Sequence, residues 1–185
     1  MHHDRPEILR PLIKVAVNTG MRKGELLNLK WDDVDFVSGM LWVRRAKSGE
    51  GRRLPMNSVA RSALAGLRDE RRERLRARVV SCEAAGGYVF GTPDGGFLHN
   101  LNRYWYPGLG RAGIEDLHFH DLRHTFASRY MMAGGDLYTR QMLLGHKTAQ
   151  MVQRYAHLSV QHLKAAVELL AASGPKPWSE KRQRN

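Results

Sequence analysis

Near the start of the chain, apolar side chains fall at Ile8, Leu9, Leu12, Ile13, Ala16 and Val17. Steps of three and four place them on one face of a helix, and Gly20 supplies a stop. The next stretch, "RKGELLNLKWDDVD", gathers Leu26, Leu27 and Leu29 and predicts a second, short helix. In "GMLWVRRAKSGEGRRLPM" the pattern changes: "LWVRR" and "RRLPM" flank a Gly/Ser turn and predict a β-hairpin. Asn57 or Ser58 can cap a long helix running to about residue 80. Its charged middle, "RDERRERLRAR", is read as a solvated face with i,i+4 pairs.

Downstream, "YVFGTPDGG" suggests a short strand and a turn, and "NLNRYWYPGLGRAGI" a helix broken by Pro107 and Gly108. Further helices are expected over about 120–133, 136–144, 148–155 and 159–173. The tail "GPKPWSEKRQRN" has no periodicity and is expected to be flexible. The predicted class is α+β, mainly α, with one small antiparallel sheet or hairpin.

Composition narrows the partners. Thirty Lys+Arg against 18 Asp+Glu give a formal charge of +12 on 185 residues, a balance that suits a polyanion, nucleic acid above all. Cys82 is the lone cysteine, so neither an internal disulfide nor a cysteine-rich metal site is available. No apolar run approaches the roughly 20 residues that span a bilayer. "MHHDRPEILR" has no signal-peptide apolar stretch, so the expected compartment is the cytoplasm, in association with the nucleoid.

The chemistry concentrates in "HDLRHTFASRYMMA", residues 120–133. On a helical wheel His120, Arg123, His124 and Ala127 share one face, and Leu122, Phe126, Tyr130 and Ala133 the opposite, core-facing one. Two imidazoles and a guanidinium thereby reach one surface or cleft. A metal held by His120, His124 and His118 is one reading, although an arginine between the ligands would repel the cation. A structural role for the imidazoles is a second reading, and an anion site a third. Arg22 and Glu25 in "NTGMRKGELLNLKWDDVD", Lys47 at the hairpin turn, and His146 and Tyr155 in "GHKTAQMVQRYAHLS" add candidates that mean little one by one.

Together, "TGMRKGELLNLKW", "HDLRHTFAS" and "LLGHKTAQMVQRYAHLS" resemble the three signature boxes of the tyrosine recombinase (phage integrase) family, in order and spacing, with Tyr155 nine residues after His146. The resemblance covers roughly residues 5–172. It implies the helical catalytic domain of that family over residues 1–172, a flexible basic tail over 173–185, and no N-terminal core-binding or arm-binding domain in this chain.

It also implies site roles: Arg22, Lys47, His120, Arg123 and His146 as catalytic residues, Tyr155 as the nucleophile, and Glu25 and His124 in support. The implied activity is site-specific DNA recombination or integration through a 3′-phosphotyrosyl intermediate, with type IB topoisomerase-like relaxation as a side reaction. Neither metal nor other cofactor is expected. The implied partners are a double-stranded DNA recombination site and, on it, three further copies of the chain, which alone is expected to be a monomer. A DNA-binding module with the same fold that no longer reacts is the alternative. The apolar stripe Val160, Leu163, Val167 and Leu170 suits docking on a neighbouring protomer and packing on its own core equally well.

Overall fold

The computed structural model describes residues 6–44, 51–77, 87–145 and 160–172. A 3-10 turn (Pro6–Ile8) leads into α1 (Leu9–Thr19), which buries Leu9, Leu12, Val15 and Ala16. Gly20 ends α1 in the left-handed conformation (φ 64°), its N–H donating to the Ala16 carbonyl. Only glycine fits here: a Cβ on Gly20 would lie 2.5 Å from Phe126 Cδ1 and 2.8 Å from Leu144 Cδ2. The chain then turns into the five-residue α2 (Lys23–Leu27), which buries Leu26 and Leu27 as the sequence pattern predicts.

Three strands, β1 (Val34–Asp35), β2 (Met40–Val43) and β3 (Arg52–Pro55), form an antiparallel sheet in that order, with Leu41 opposite Leu54. β2 and β3 are the two arms of the predicted hairpin; β1 is an addition. The sequence gives no periodic warning of a two-residue strand, which pairs only through Val34–Leu41 and Asp35–Met40. The predicted "YVFGTPDGG" strand reduces to one bridge between Tyr88 and Lys30.

Helix α3 (Ser58–Ala77) is capped by Asn57, whose Oδ1 accepts from the Ala60 N–H at 2.9 Å. Helix α4 (Asn102–Arg111) corrects the expected break: it runs straight through Pro107 and Gly108. Tertiary contacts outweigh the missing N–H. Trp105 is buried and its indole N–H donates to the Leu117 carbonyl, while Gly108 sits so close to Leu9 that a Cβ would be 2.7 Å from it. Helices α5 (Asp121–Met132) and α6 (Leu137–Leu144) follow, α6 capped by the Asp136 carboxylate and ended by Gly145 at φ 66°. The expected 148–155 helix lies outside the described residues.

The last helix, α7 (Val160–Ala172), packs on its own chain, against α1, α3, α5, α6 and β3. Val167 and Leu170 are fully buried there, which decides the open question for this half of the stripe. Polar groups pin the dock. Asn57 Nδ2 donates to the Asn18 side chain and to the Val167 carbonyl, Glu168 accepts from Ser58 N–H and Oγ, and Arg129 donates to the Leu170 carbonyl. One core thus joins α1, α3, α5, α7 and the sheet. Among the described residues no helix is long and apolar enough to cross a membrane.

Candidate active site

The C-terminal end of α1 and the start of α2 set up the first box. Arg22 occupies the N-cap position of α2 with extended backbone. Three residues on, Glu25 reaches back and accepts from the Arg22 N–H at 2.8 Å and from Arg22 Nη1 at 3.2 Å. This is the carboxylate half of a capping box; an arginine side chain has no acceptor with which to supply the other half. The Arg22 side chain stays 43% exposed.

Arg123 departs from the wheel expectation. It does not lie on a face with exposed imidazoles; it is 5% exposed, inside the core with Leu122, Phe126 and Tyr130. Its fork donates to two backbone carbonyls, Gly20 O and Leu144 O, both at 2.6 Å. α5 keeps one exposed face, formed by His124, Thr125, Ser128, Met131 and Met132, and Arg123 falls off it, beside Tyr130 at the edge of the face that α1, α6 and α7 cover. Arg123 therefore bridges the first box, two residues before Arg22, and the end of α6, two residues before His146. Burial, then the Arg22 charge, draws its pKa down to about 10, Arg52 adding to the effect and Glu25 opposing it. The group remains a cation at neutral pH.

His120 stands exposed at the N-terminal end of α5, its ring meeting that of His124 edge-on at 5.0 Å between centroids. His118 projects at the surface beside Asp121. No three His, Cys, Asp or Glu residues come together to hold a metal among the described residues, so the chelate reading finds no third ligand there. Lys47, His146 and Tyr155 lie outside the described residues.

One charged residue at this site escapes the sequence reading. Arg52, at the start of β3, makes a two-pronged contact with Glu25, Nη1 to Oε1 at 2.7 Å and Nη2 to Oε2 at 3.0 Å. Burial alone would raise the Glu25 carboxyl. The Arg52 hydrogen bonds and charge, with those of Arg22, outweigh it and hold the pKa below the usual 4.5. A signal for Arg52 was present: it lies two residues before buried Leu54, hence on the inward face of the strand, while Arg53 faces outward near Trp42.

The structure thus gathers the first arginine, its acidic support and the arginine of the second box around the α1–α2 turn, and adds a third guanidinium. A mostly helical domain with a small three-stranded antiparallel sheet is the fold of tyrosine recombinase catalytic domains. A crystal structure of XerA recombinase superposes over 94% of this chain and 65% of its own with a TM-score of 0.59 at 26% identity. The fold is shared too by the integrase from mycobacterium phage Brujita, with a TM-score of 0.65 at 21% identity over 91% of this chain and 53% of that one.

The chain belongs to the phage integrase family, whose model matches residues 3–162. It is 30% identical to the integrase of Salmonella phage P22 over 85% of this chain and 41% of that protein. It is 34% identical to tyrosine recombinase XerC of Oceanobacillus iheyensis over 84% of this chain and 50% of that protein. The chain spans about half the length, or less, of these curated relatives.

Proposed function

We propose that this chain is the catalytic domain, residues 1–172, of a site-specific DNA recombinase or integrase that breaks and rejoins strands through Tyr155. The observation that carries this reading is the node around the α1–α2 turn. Two arginines from distant boxes converge there, Arg123 through the Gly20 carbonyl and Arg22 through Glu25.

In the proposed reaction the Tyr155 hydroxyl attacks the scissile phosphorus, His120 takes the phenolic proton, and the P–O5′ bond breaks. Lys47 protonates the departing 5′ oxygen, leaving a 3′-phosphotyrosyl bond and a free 5′-hydroxyl. A 5′-hydroxyl from a partner strand then attacks the phosphotyrosine and restores a phosphodiester. One ester replaces another, so no ATP is consumed. Negative charge grows on the non-bridging oxygens as phosphorus becomes pentavalent. Arg22 and Arg123 supply the guanidiniums that balance it, with a hydrogen bond from His146. His124 supports His120 through the ring contact.

The partner is double-stranded DNA, in keeping with the +12 charge. A solved XerH structure, bound to its difH substrate, is 26% identical to this chain, with a TM-score of 0.58 over 83% of this chain and 43% of that one. Assembly on DNA as four copies, and residence with the nucleoid, complete the proposal.

Covalent trapping tests it. The chain and its Tyr155→Phe variant are incubated, with EDTA, on a nicked suicide duplex from the chain's own genetic locus. An SDS-resistant adduct formed only by the unsubstituted chain is the expected result. A DNA-binding chain that forms no adduct would point to the non-reacting module instead.

A further inference from the structure

Arg52 is the one guanidinium at this site to which neither the sequence pattern nor the proposed chemistry gives a role. Its side chain is 17% exposed and commits both Nη atoms to Glu25. Glu25 in turn accepts from Arg22 twice, so its two oxygens hold four donors from two arginines. Gly145 fixes the other side of Arg52. A Cβ there would lie 3.1 Å from Cζ, Nε and Nη1 alike, facing the flat of the guanidinium, so the backbone beside His146 is what the Arg52 plane rests on. That is a second reason for glycine at 145, besides its φ of 66°.

We propose that Arg52 is a positioning residue of the anion site: its fork locks the Glu25 carboxylate edge-on, so that Glu25 steers Arg22 without neutralising it. A carboxylate prefers a two-pronged, fork-to-fork pair with a guanidinium. Left to itself, Glu25 would turn and form that pair with Arg22, taking up the donors a phosphate needs. With Arg52 present the pair forms there instead, and Arg22 is left with a single side-chain contact to Glu25 at 3.2 Å. Arg22 and Arg52 then share one carboxylate, and one net positive charge remains in this group to meet an anion. The geometry also ties β3, the start of α2 and Gly145 at the end of α6 into one unit. The inference rests on the strand-cleavage reading only for the identity of the anion as a DNA phosphate.

The test uses inorganic sulfate as the probe, since its charge is fixed at neutral pH, and the 185-residue chain labelled with nitrogen-15. Sulfate binding is followed at the Arg22 Nε–Hε resonance, assigned with Arg22→Lys, and thermal melting confirms that each variant is folded. Arg52→Gln is expected to weaken sulfate about tenfold, as loss of a charged fork near a bound anion should. Arg52→Lys, which keeps the charge without the fork, should fall between. The deciding readout is coupling: Glu25→Gln should strengthen sulfate binding in the Arg52→Gln background by about fivefold more than in the unsubstituted chain.

Additive effects within about twofold would overturn the proposal, because it requires Arg52 to act on sulfate through Glu25. Unchanged affinity in both Arg52 variants would overturn it as well, as would the absence of saturable sulfate binding in the unsubstituted chain. If Arg52→Gln does not fold, Arg52→Lys decides alone: at least threefold weakening supports the proposal and unchanged affinity refutes it. Sulfate binding is read without DNA, so a chain that binds sulfate as expected but forms no adduct counts against the cleavage reading and not against this one.

Discussion

Arg123 and Arg22 look equivalent in the sequence, yet the structure assigns them different mechanical duties. Arg123 is buried and its two 2.6 Å bonds go to backbone carbonyls that have no water to turn to. Replacing it with methionine fills most of the volume and removes both donors. A hydrogen bond from a charged group contributes about 1.5–3 kcal/mol net, and an orphaned buried carbonyl costs a similar amount. The two bonds together put the expected loss at about 3–5 kcal/mol. Lysine can satisfy one carbonyl at a time, so Arg123→Lys should lose about half as much.

Arg22→Lys is the control. Its side chain is 43% exposed and its contact with Glu25 is 3.2 Å, a solvated pair worth about 0–1 kcal/mol. Urea unfolding followed by circular dichroism measures all three. With a slope of about 2 kcal/mol per molar, the Arg123→Met midpoint should drop by roughly 1.5–2.5 M and that of Arg22→Lys by less than about 0.5 M. A loss below about 1 kcal/mol for Arg123→Met, with adduct formation abolished, would refute the clamp and leave Arg123 as a phosphate ligand only.

Three further substitutions probe the parts that hold this node. Asn57→Ala removes the α3 cap and leaves Asn18 Oδ1 and the Val167 carbonyl without that donor; a loss of about 2–4 kcal/mol, read as a melting point lower by roughly 8 °C, is expected. A change under about 2 °C would mean that α7 is not docked through this residue. Gly20→Ala forces a Cβ to within 2.5 Å of Phe126 in a left-handed turn, and should cost at least about 3 kcal/mol in the same urea assay. Glu25 carries a pH signature. Its folded pKa is lowered below 4.5, so its stabilisation is fully present above that value and is lost as pH falls through the folded pKa. The gap in urea midpoint between the unsubstituted chain and Glu25→Gln should therefore be widest near pH 7 and shrink towards pH 3; a gap independent of pH would contradict the pairing.

Much of this architecture is legible in the pattern of apolar residues. The stripe from Leu9 to Ala16, the Gly20 stop, the hairpin arms and the Asn57 cap all follow from local rules, and the structure places them where those rules do. What local rules miss is decided by neighbours distant in sequence. Pro107 stays helical because Trp105 and Gly108 are anchored to Leu117 and Leu9. Arg123 turns inward because it sits beside Tyr130, at the edge of the α5 face that distant helices cover. Arg52 hides beside Arg53 in a basic run that reads as one exposed patch until the strand alternation around Leu54 separates them.

The partners of Arg123 carry a further consequence. A buried arginine is ordinarily stabilised by a carboxylate, which cancels its charge. The fork of Arg123 donates to two neutral carbonyl oxygens, which accept its hydrogens without themselves bringing a negative charge. Glu25, whose charge supports the Arg123 cation, is itself hydrogen-bonded to Arg52 and Arg22. On the strand-cleavage reading proposed above, an acid placed against Arg123 would repel the incoming phosphate. On the proposed reading, positive potential in a partly dry site is where a developing negative charge on phosphorus gains most. The carbonyls of Gly20 and Leu144 are fixed by the ends of α1 and α6, so the fold of the chain itself places the Arg123 guanidinium.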